Sequence, residues 1–375
     1  MSARSAGPAP DHAVTVTVDD RWERGAGWSG PTALVATARG PRPATSTDPA
    51  PSRHLAGVVL PGLRDAHVHL GLVDAGALYR GGLAAVDDLG GDPVALSALA
   101  ARAAGSGTRR GAPGLPEVRF AGAFLTAPGG YPSDRSWAPP GSVEEVTGPE
   151  RAAAAVDRQV AAGARFVKVA LHADAGPVPD DATLRALVGR AHEHGRPVVA
   201  HTEGAGQTRR SLAAGVDRLA HTPFSERLPD DVVSAAARSQ TWISTLDVHG
   251  WGTPTAQHAT ALDNLARFVA AGGTVVYGTD QGNGPLPAGL DERELRALLA
   301  VGLTVDALLH ALTWGPATAA RTHLPGERPA HGATPEEVAA WLAGARVLTP
   351  HDLAAGPPAD PLPRPCSRPY SEDPS

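Results

Sequence analysis

The 375-residue chain contains one cysteine, Cys366. A lone thiol cannot close an internal disulfide, so cysteine usage gives no sign of an oxidising compartment. The N-terminal stretch MSARSAGPAPDHAVTV lacks the apolar segment of a secretory signal. No run of about 18 or more apolar residues occurs, which excludes a spanning helix. No long basic run is present, and the formal net charge is −6. Nucleic acid and anionic membrane surfaces are therefore not expected partners. Together these absences give the expectation of a cytoplasmic protein.

What is present fits a soluble globular enzyme, with 42% hydrophobic and 19% charged residues. The length allows two domains or one large barrel. Residues 1–12 are small and polar and are expected to be disordered. VTVTV (14–18) and TALVATA (32–38) read as strands, and residues 39–53 as a Pro-rich loop. From residue 63 onward, β-prone runs alternate with Ala/Leu-rich stretches of helical period. The predicted strands cover 63–69, 83–89, 117–122, 165–171, 197–202, 216–221, 241–246 and 274–280. The predicted helices include 149–163, 180–195, 228–240 and 255–273, several ending in glycine. GLTVDALLHALTWGPATAAR (302–321) reads as two further helices. Eight strands, each followed by a helix or long loop, predict a (β/α)8 TIM barrel. The insert APGGYPSDRSWAPPGS (127–142) follows the third strand and is expected to lie over the barrel mouth.

In LPGLRDAHVHL, His67 and His69 sit two residues apart in a strand run, so their side chains share a face. At the C-terminal end of a barrel strand that face is the usual place for chemistry. Two neutral imidazoles there can grip a divalent metal. On its own the pair is a weak signal, since two strand histidines are more often core or surface residues than metal ligands. Other polar residues fall at matching places: Lys168 in FVKV, His201 in VVAHT, His221 in RLAH and Asp280 in VVYGTD. A lone lysine in an apolar strand is costly unless paired or modified. Convergence from strands 1, 4, 5, 6 and 8 turns a weak motif into a constellation.

The stretches VVLPGLRDAHVHL, GLAAVDDLG, AAGARFVKV, VVAHTEG, AAGVDRLAHTPF and VVYGTDQG, followed by residues 302–321, occur in one order across roughly residues 55–321. In this the chain resembles the amidohydrolase superfamily of metal-dependent hydrolases, above all its imidazolonepropionase-like and prolidase-like branch. The resemblance implies that His67, His69, His201 and His221 are metal ligands. It implies that Lys168 is the lysine N-carboxylated in dinuclear members, where it bridges two metals. Asp280 then corresponds to the aspartate that is both metal ligand and catalytic proton shuttle. The expected cofactor is one or two divalent metals, with Zn2+ favoured and manganese, iron, cobalt and nickel also suited to such ligands.

The chain departs from the family pattern in three places. The strand-3 loop reads GGYP, with Tyr131 where many members carry histidine; its hydroxyl either stabilises an oxyanion or simply packs. The small β-sandwich that members build from both termini is expected in reduced form, from residues 13–60 and 322–356. TPEEVAAWLAGARVLTPHDL (334–353) opens with a capping-box pattern, which predicts a helix in place of the usual strands. The N-terminal part carries little of the family's pattern. The barrel is assigned to residues 61–321 and a loose Pro-rich tail to 357–375.

His249 reads as a substrate contact or a solvated loop residue. His172 faces the mouth only if its strand persists. His192 and His194 suit a helix C-terminus. His54, His258, His310, His323, His331 and His351 form no convergent pattern.

The expected activity is cleavage of an amide, peptide or cyclic amide C–N bond by a metal-activated water, with Asp280 as proton shuttle. Two alternatives stand beside it. One is a mononuclear hydrolase or deaminase of cyclic amidines, with Lys168 unmodified and His221 polarising the substrate. The other is a non-catalytic binding protein on the same barrel. A small-molecule substrate is the expected partner, and the chain has room for self-association into a homo-oligomer.

Overall fold

The computed structural model describes residues 14–37, 40–106, 114–349 and 353. The expectations for the N-terminal 12 residues, for His351, for Cys366 and for the tail from residue 357 fall outside them. Strand Arg64–Val68 pairs in parallel with Ala85–Asp88, which pairs with Glu117–Phe120. A second parallel run follows, through Phe124–Thr126, Val167–His172, Val198–Glu203, Arg218–Leu219, Thr241–Ile243 and Thr274–Val276. Arg165 N donates to Phe120 O at 2.9 Å between the two runs. At the far side, Ala66 N donates to Tyr277 O (3.0 Å), and Asp280 N to His67 O (2.8 Å). His69 N donates to Gln281 O at 2.8 Å in the same region. The first strand thus meets the segment that follows the last, in a TIM-barrel-like α/β fold.

The residue types explain this arrangement. A parallel strand covered on both faces is apolar along its length. Val198, Val199 and Ala200 are fully buried, as are Val167 and Val169. Helices alternate with the strands and bury one stripe. Ala152, Ala155 and Val156 of Gly148–Ala161 are buried, as are Leu184, Leu187, Val188 and Ala191 of Asp181–Glu193, at helical spacing. Just past these two helices Gly163 and Gly195 adopt φ of 102° and 64°, a left-handed turn that glycine makes without steric cost. His192 and His194 lie at the end of the second helix, 2.8 Å from Asp217 and 2.6 Å from Asp157.

Both ends of the chain contribute to one seven-stranded sheet. Its order is Arg346–Leu348, Arg321–Leu324, Arg53–Pro61, Thr15–Glu23, Thr32–Val35 and Arg42–Pro43, with Gly27–Trp28 paired to Thr15–Glu23. Val16, Val18, Leu34, Leu55, Val59 and Leu348 form its buried cluster. Helix Pro335–Ala343 carries the capping box, with Thr334 Oγ1 accepting from Glu337 N and the Glu337 carboxylate accepting from Thr334 N.

One expectation fails. Residues 302–321 hold a single helix, Val305–Leu312, and not two. Thr313 turns its hydroxyl back to Leu309 O (2.7 Å). Gly315 adopts φ 98°, and Pro316 cannot donate to a continuing helix. Arg321–Leu324 then pairs with Arg53–Pro61, so tertiary pairing overrides local helix propensity.

A buried carboxylate supports the loop after the seventh strand. Glu294, at 0% exposure, accepts from Asp247 N at 2.8 Å, while Arg293 grips the Asp247 carboxylate. Burial raises the Glu294 carboxyl from 4.5 to about 8, against hydrogen bonds that oppose the shift. The folded state then holds a proton that the unfolded state releases, so stability falls as pH rises between those two values. The slope from one such group is at most about 1.4 kcal/mol per pH unit. Glu294→Gln is expected to flatten the fall of the unfolding midpoint between pH 5 and 9. An unchanged slope in thermal scans of the variant would contradict this.

Candidate functional site

Strand Arg64–Val68 carries Asp65 and His67, and His69 follows its end with its ring turned toward that of His67. His67 is 0% exposed and His69 7%. His67 Nδ1 lies 2.8 Å from Ala220 O, and His69 Nδ1 lies 3.1 Å from Gly90 O. A carbonyl only accepts, so both Nδ1 atoms carry the proton and both Nε2 atoms present lone pairs. Those Nε2 atoms are 3.3 Å apart. Asp280 Oδ1 lies 3.0 Å from His67 Nε2 and 3.1 Å from His69 Nε2. It is buried and forms no well-aligned hydrogen bond.

Three electron-rich atoms therefore converge. Burial lowers the His67 imidazole to about 4, against the pull of Asp280. For His69 burial also opposes the charge, but Asp280 and Asp88 outweigh it and raise the imidazole. Burial would raise the Asp280 carboxyl, yet His67 and His69 hold it well below the usual range. A proton on His69 would satisfy one of these contacts. A divalent cation would satisfy all of them, so the donor set fits a metal.

His221 adds a fourth group. Its Nδ1 lies 2.9 Å from Thr245 Oγ1, and its ring centroid lies 4.8 Å from that of His67. Ligand atoms of His67, His221 and Asp280 all fall within 4.8 Å of one another. Lys168 is 1% exposed, with Nζ 5.7 Å from the Phe124 ring centroid. Burial lowers its ammonium to about 8, with Asp280 and Asp88 pulling the other way.

His201 turns elsewhere. Its ring lies 4.8 Å from that of His221, but its Nε2 is 3.0 Å from Glu203 Oε2. His172 Nε2 is 3.1 Å from the same oxygen. His172, His201 and Glu203 form a second group able to hold a metal. The strand persists to His172, so Lys168 and His172 share its face. Tyr131 packs beside them, its ring 4.8 Å from His172 and 5.4 Å from His201. His249 packs against Phe224 with ring centroids 4.1 Å apart and planes tilted by 40°, and burial lowers its imidazole to about 4.

All eight residues singled out in the sequence line one cavity of about 470 Å³. They are His67, His69, Tyr131, Lys168, His201, His221, His249 and Asp280. Tyr131 and Trp137 belong to the insert after the third strand, which covers part of the mouth. Among the described residues three non-glycine residues adopt a left-handed backbone, Thr245 (φ 41°), Trp251 (φ 47°) and Asp280 (φ 62°); the last two line the cavity, and Thr245 holds His221. Strain of this kind gathers where a site demands it.

Sequence reasoning missed three carboxylates. Asp65 Oδ1 accepts from His67 N (2.9 Å) and Thr279 N (3.1 Å), tying the histidine strand to the segment that carries Asp280. Asp88 accepts from Leu70 N (2.7 Å) and Gly90 N (2.9 Å), which fixes the carbonyl facing His69. Glu203 is the third. The period-two rule could have found Asp65 and Glu203, each two residues from a noted histidine. Nothing local marks Asp88.

The amidohydrolase family pattern matches residues 58–324, and the chain belongs to this family. An uncharacterized protein of Mycobacterium tuberculosis (strain ATCC 25618 / H37Rv) is 28% identical over 284 residues, covering 69% of this chain and 73% of the relative. Among solved structures, ochratoxinase of A. niger superposes with TM-score 0.70 at 18% identity, covering 94% of this chain and 98% of that one. A Xaa-Pro dipeptidase with bound methionine superposes with TM-score 0.69 at 17% identity, covering 90% and 98%. No described helix is long and apolar enough to cross a membrane.

Proposed function

We propose that the chain is a metal-dependent hydrolase of a C–N bond in an amide, peptide or cyclic amide. The observation that carries this is the meeting of His67 Nε2, His69 Nε2 and Asp280 Oδ1 within 3.3 Å, with both Nδ1 atoms committed to carbonyls. Family membership and the peptide-directed name of one structural neighbour, the Xaa-Pro dipeptidase, support it. His67, His69, Lys168, His201, His221 and Asp280 would hold one or two divalent ions, with Zn2+ favoured by the imidazole set. Such an ion supplies a Lewis acid and lowers the pKa of water toward about 7.

The chain's own groups do the rest. Asp280 accepts the proton of the attacking water and returns it to the departing nitrogen. Asn283 Nδ2 donates to Asp280 Oδ2 at 2.9 Å and keeps the carboxylate oriented. Carboxylation of Lys168 would turn a repelling ammonium into an anion with two ligating oxygens. Its burial favours the neutral amine that this reaction needs. Tyr131 and His249 stand in the cavity wall where substrate would pass.

Metal content per chain tests the reading. Near two metals is expected, and Lys168→Ala should lower it toward one and abolish activity. A short carboxylic acid in the buffer should partly restore turnover by standing in for the carboxylate that a carboxylated Lys168 would supply. A metal-free active protein would overturn the proposal. The placement of His201 Nε2 on Glu203 favours a second reading, a one-metal site with Lys168 unmodified. Near one metal per chain in wild type and variant alike would select it.

A further inference from the structure

The cavity wall carries information about substrate that the metal-ligand geometry does not. One part of it is aromatic. Phe124 and Trp137 lie 6.2 Å apart between ring centroids, and Tyr131 and Trp137 6.1 Å apart. Phe224 and Trp251 add two more rings. Trp251 lines the cavity and is 37% exposed.

The charged part is one-sided. Among the described lining residues Lys168 is the one cation besides histidine, and it is 1% exposed. Arg135 lies 5.6 Å from the Tyr131 ring centroid but does not line the cavity. Glu203 lines it with a side chain 25% exposed. Its Oε2 faces both His172 and His201, and its Oε1 has no hydrogen bond among the described residues. A free carboxylate oxygen in a cavity lined by aromatic rings is suited to an N–H donor or an ammonium. A second carboxylate there would meet like charge with no guanidinium to offset it.

We propose that the site takes amides whose aryl or alkyl arm is neutral or cationic, with a donor on Glu203 Oε1, and rejects arms bearing a free carboxylate. This deepens the hydrolase reading and rests on it. A peptide whose carboxylate must lie along this wall would be a poor substrate.

Calorimetric titration of the metal-loaded protein tests this, using acetanilides with a para aminomethyl, hydroxymethyl or carboxylate group. The scissile amide is the same in all three. The aminomethyl compound should bind at least as tightly as the hydroxymethyl one. The carboxylate should bind about tenfold more weakly, the scale of one charge-assisted contact. Glu203→Gln should collapse the spread to about threefold, with metal content measured alongside so that a disturbed His201 is recognised. Should that variant not fold, the wild-type order decides alone. Tightest binding by the carboxylate, or a spread unchanged in folded Glu203→Gln, overturns the inference. So does a carboxylate preference that disappears in Arg135→Ala. Cleavage is read separately: the expected binding order without amide hydrolysis counts against the hydrolase reading, not against this one.

Discussion

Asp280→Asn is expected to lower turnover by about 10²-fold or more while the protein stays folded and keeps at least one metal. Asparagine matches aspartate in size and tolerates the left-handed backbone that Asp280 adopts at φ 62°. Its amide oxygen can still receive Asn283. What it loses is the capacity to accept a proton. The amide group would also face the two imidazole Nε2 atoms with less charge, so the metal grip should weaken without vanishing. Turnover, metal analysis and circular dichroism on one preparation check this. Near-native turnover would exclude Asp280 as the proton carrier.

Replacing both His67 and His69 by alanine is expected to remove most bound metal and all hydrolysis. The fold should survive, because the bonds that seat this strand do not use the imidazole rings. Ala66 N reaches Tyr277 O, and Asp65 takes His67 N. Loss of the rings leaves the Ala220 and Gly90 carbonyls without their imidazole partners, a cost of about 1–3 kcal/mol each. The unfolding midpoint should fall accordingly, with far-ultraviolet dichroism near that of the parent. Stoichiometric metal in the double variant would place the site elsewhere.

Much of this architecture was legible in the residues. The strands were found because parallel strands covered on both faces are apolar throughout, and polar exceptions such as Lys168 and His201 stand out against them. The helices were found where buried residues recur every three or four positions and glycine ends the run. The short strands Phe124–Thr126, Val143–Glu145 and Arg346–Leu348 were not found. Three residues carry no period, and pairing with distant partners decides their state. The second helix expected before Arg321 failed for the same reason. Around the site, residue type and strand position singled out six residues, comparison with the family pattern added Tyr131 and the loop after the seventh strand added His249; all eight share one cavity. Glu203 escaped because attention to the histidine stopped two residues short. Asp88 escaped because its task is to accept two backbone N–H groups, a role that only the folded chain defines.

The contact between the histidine strand and Asp280 has a consequence for how the molecule comes into being. Asp65 and Thr279 meet across 214 positions of sequence. A ribosome that has released the first strand has therefore made two of the six proposed ligand residues, with the other four not yet synthesised. Such a nascent chain carries paired imidazoles but neither the carboxylate that completes the cluster nor the groups flanking it. On the proposed reading, capture of a cation, and the hydrolytic power it would confer, would be deferred until nearly the whole fold has been translated and has closed. After closure, any ligand that engages His67 and Asp280 together acts as a clasp across the seam. Its binding energy then opposes opening of the entire barrel, not of one loop.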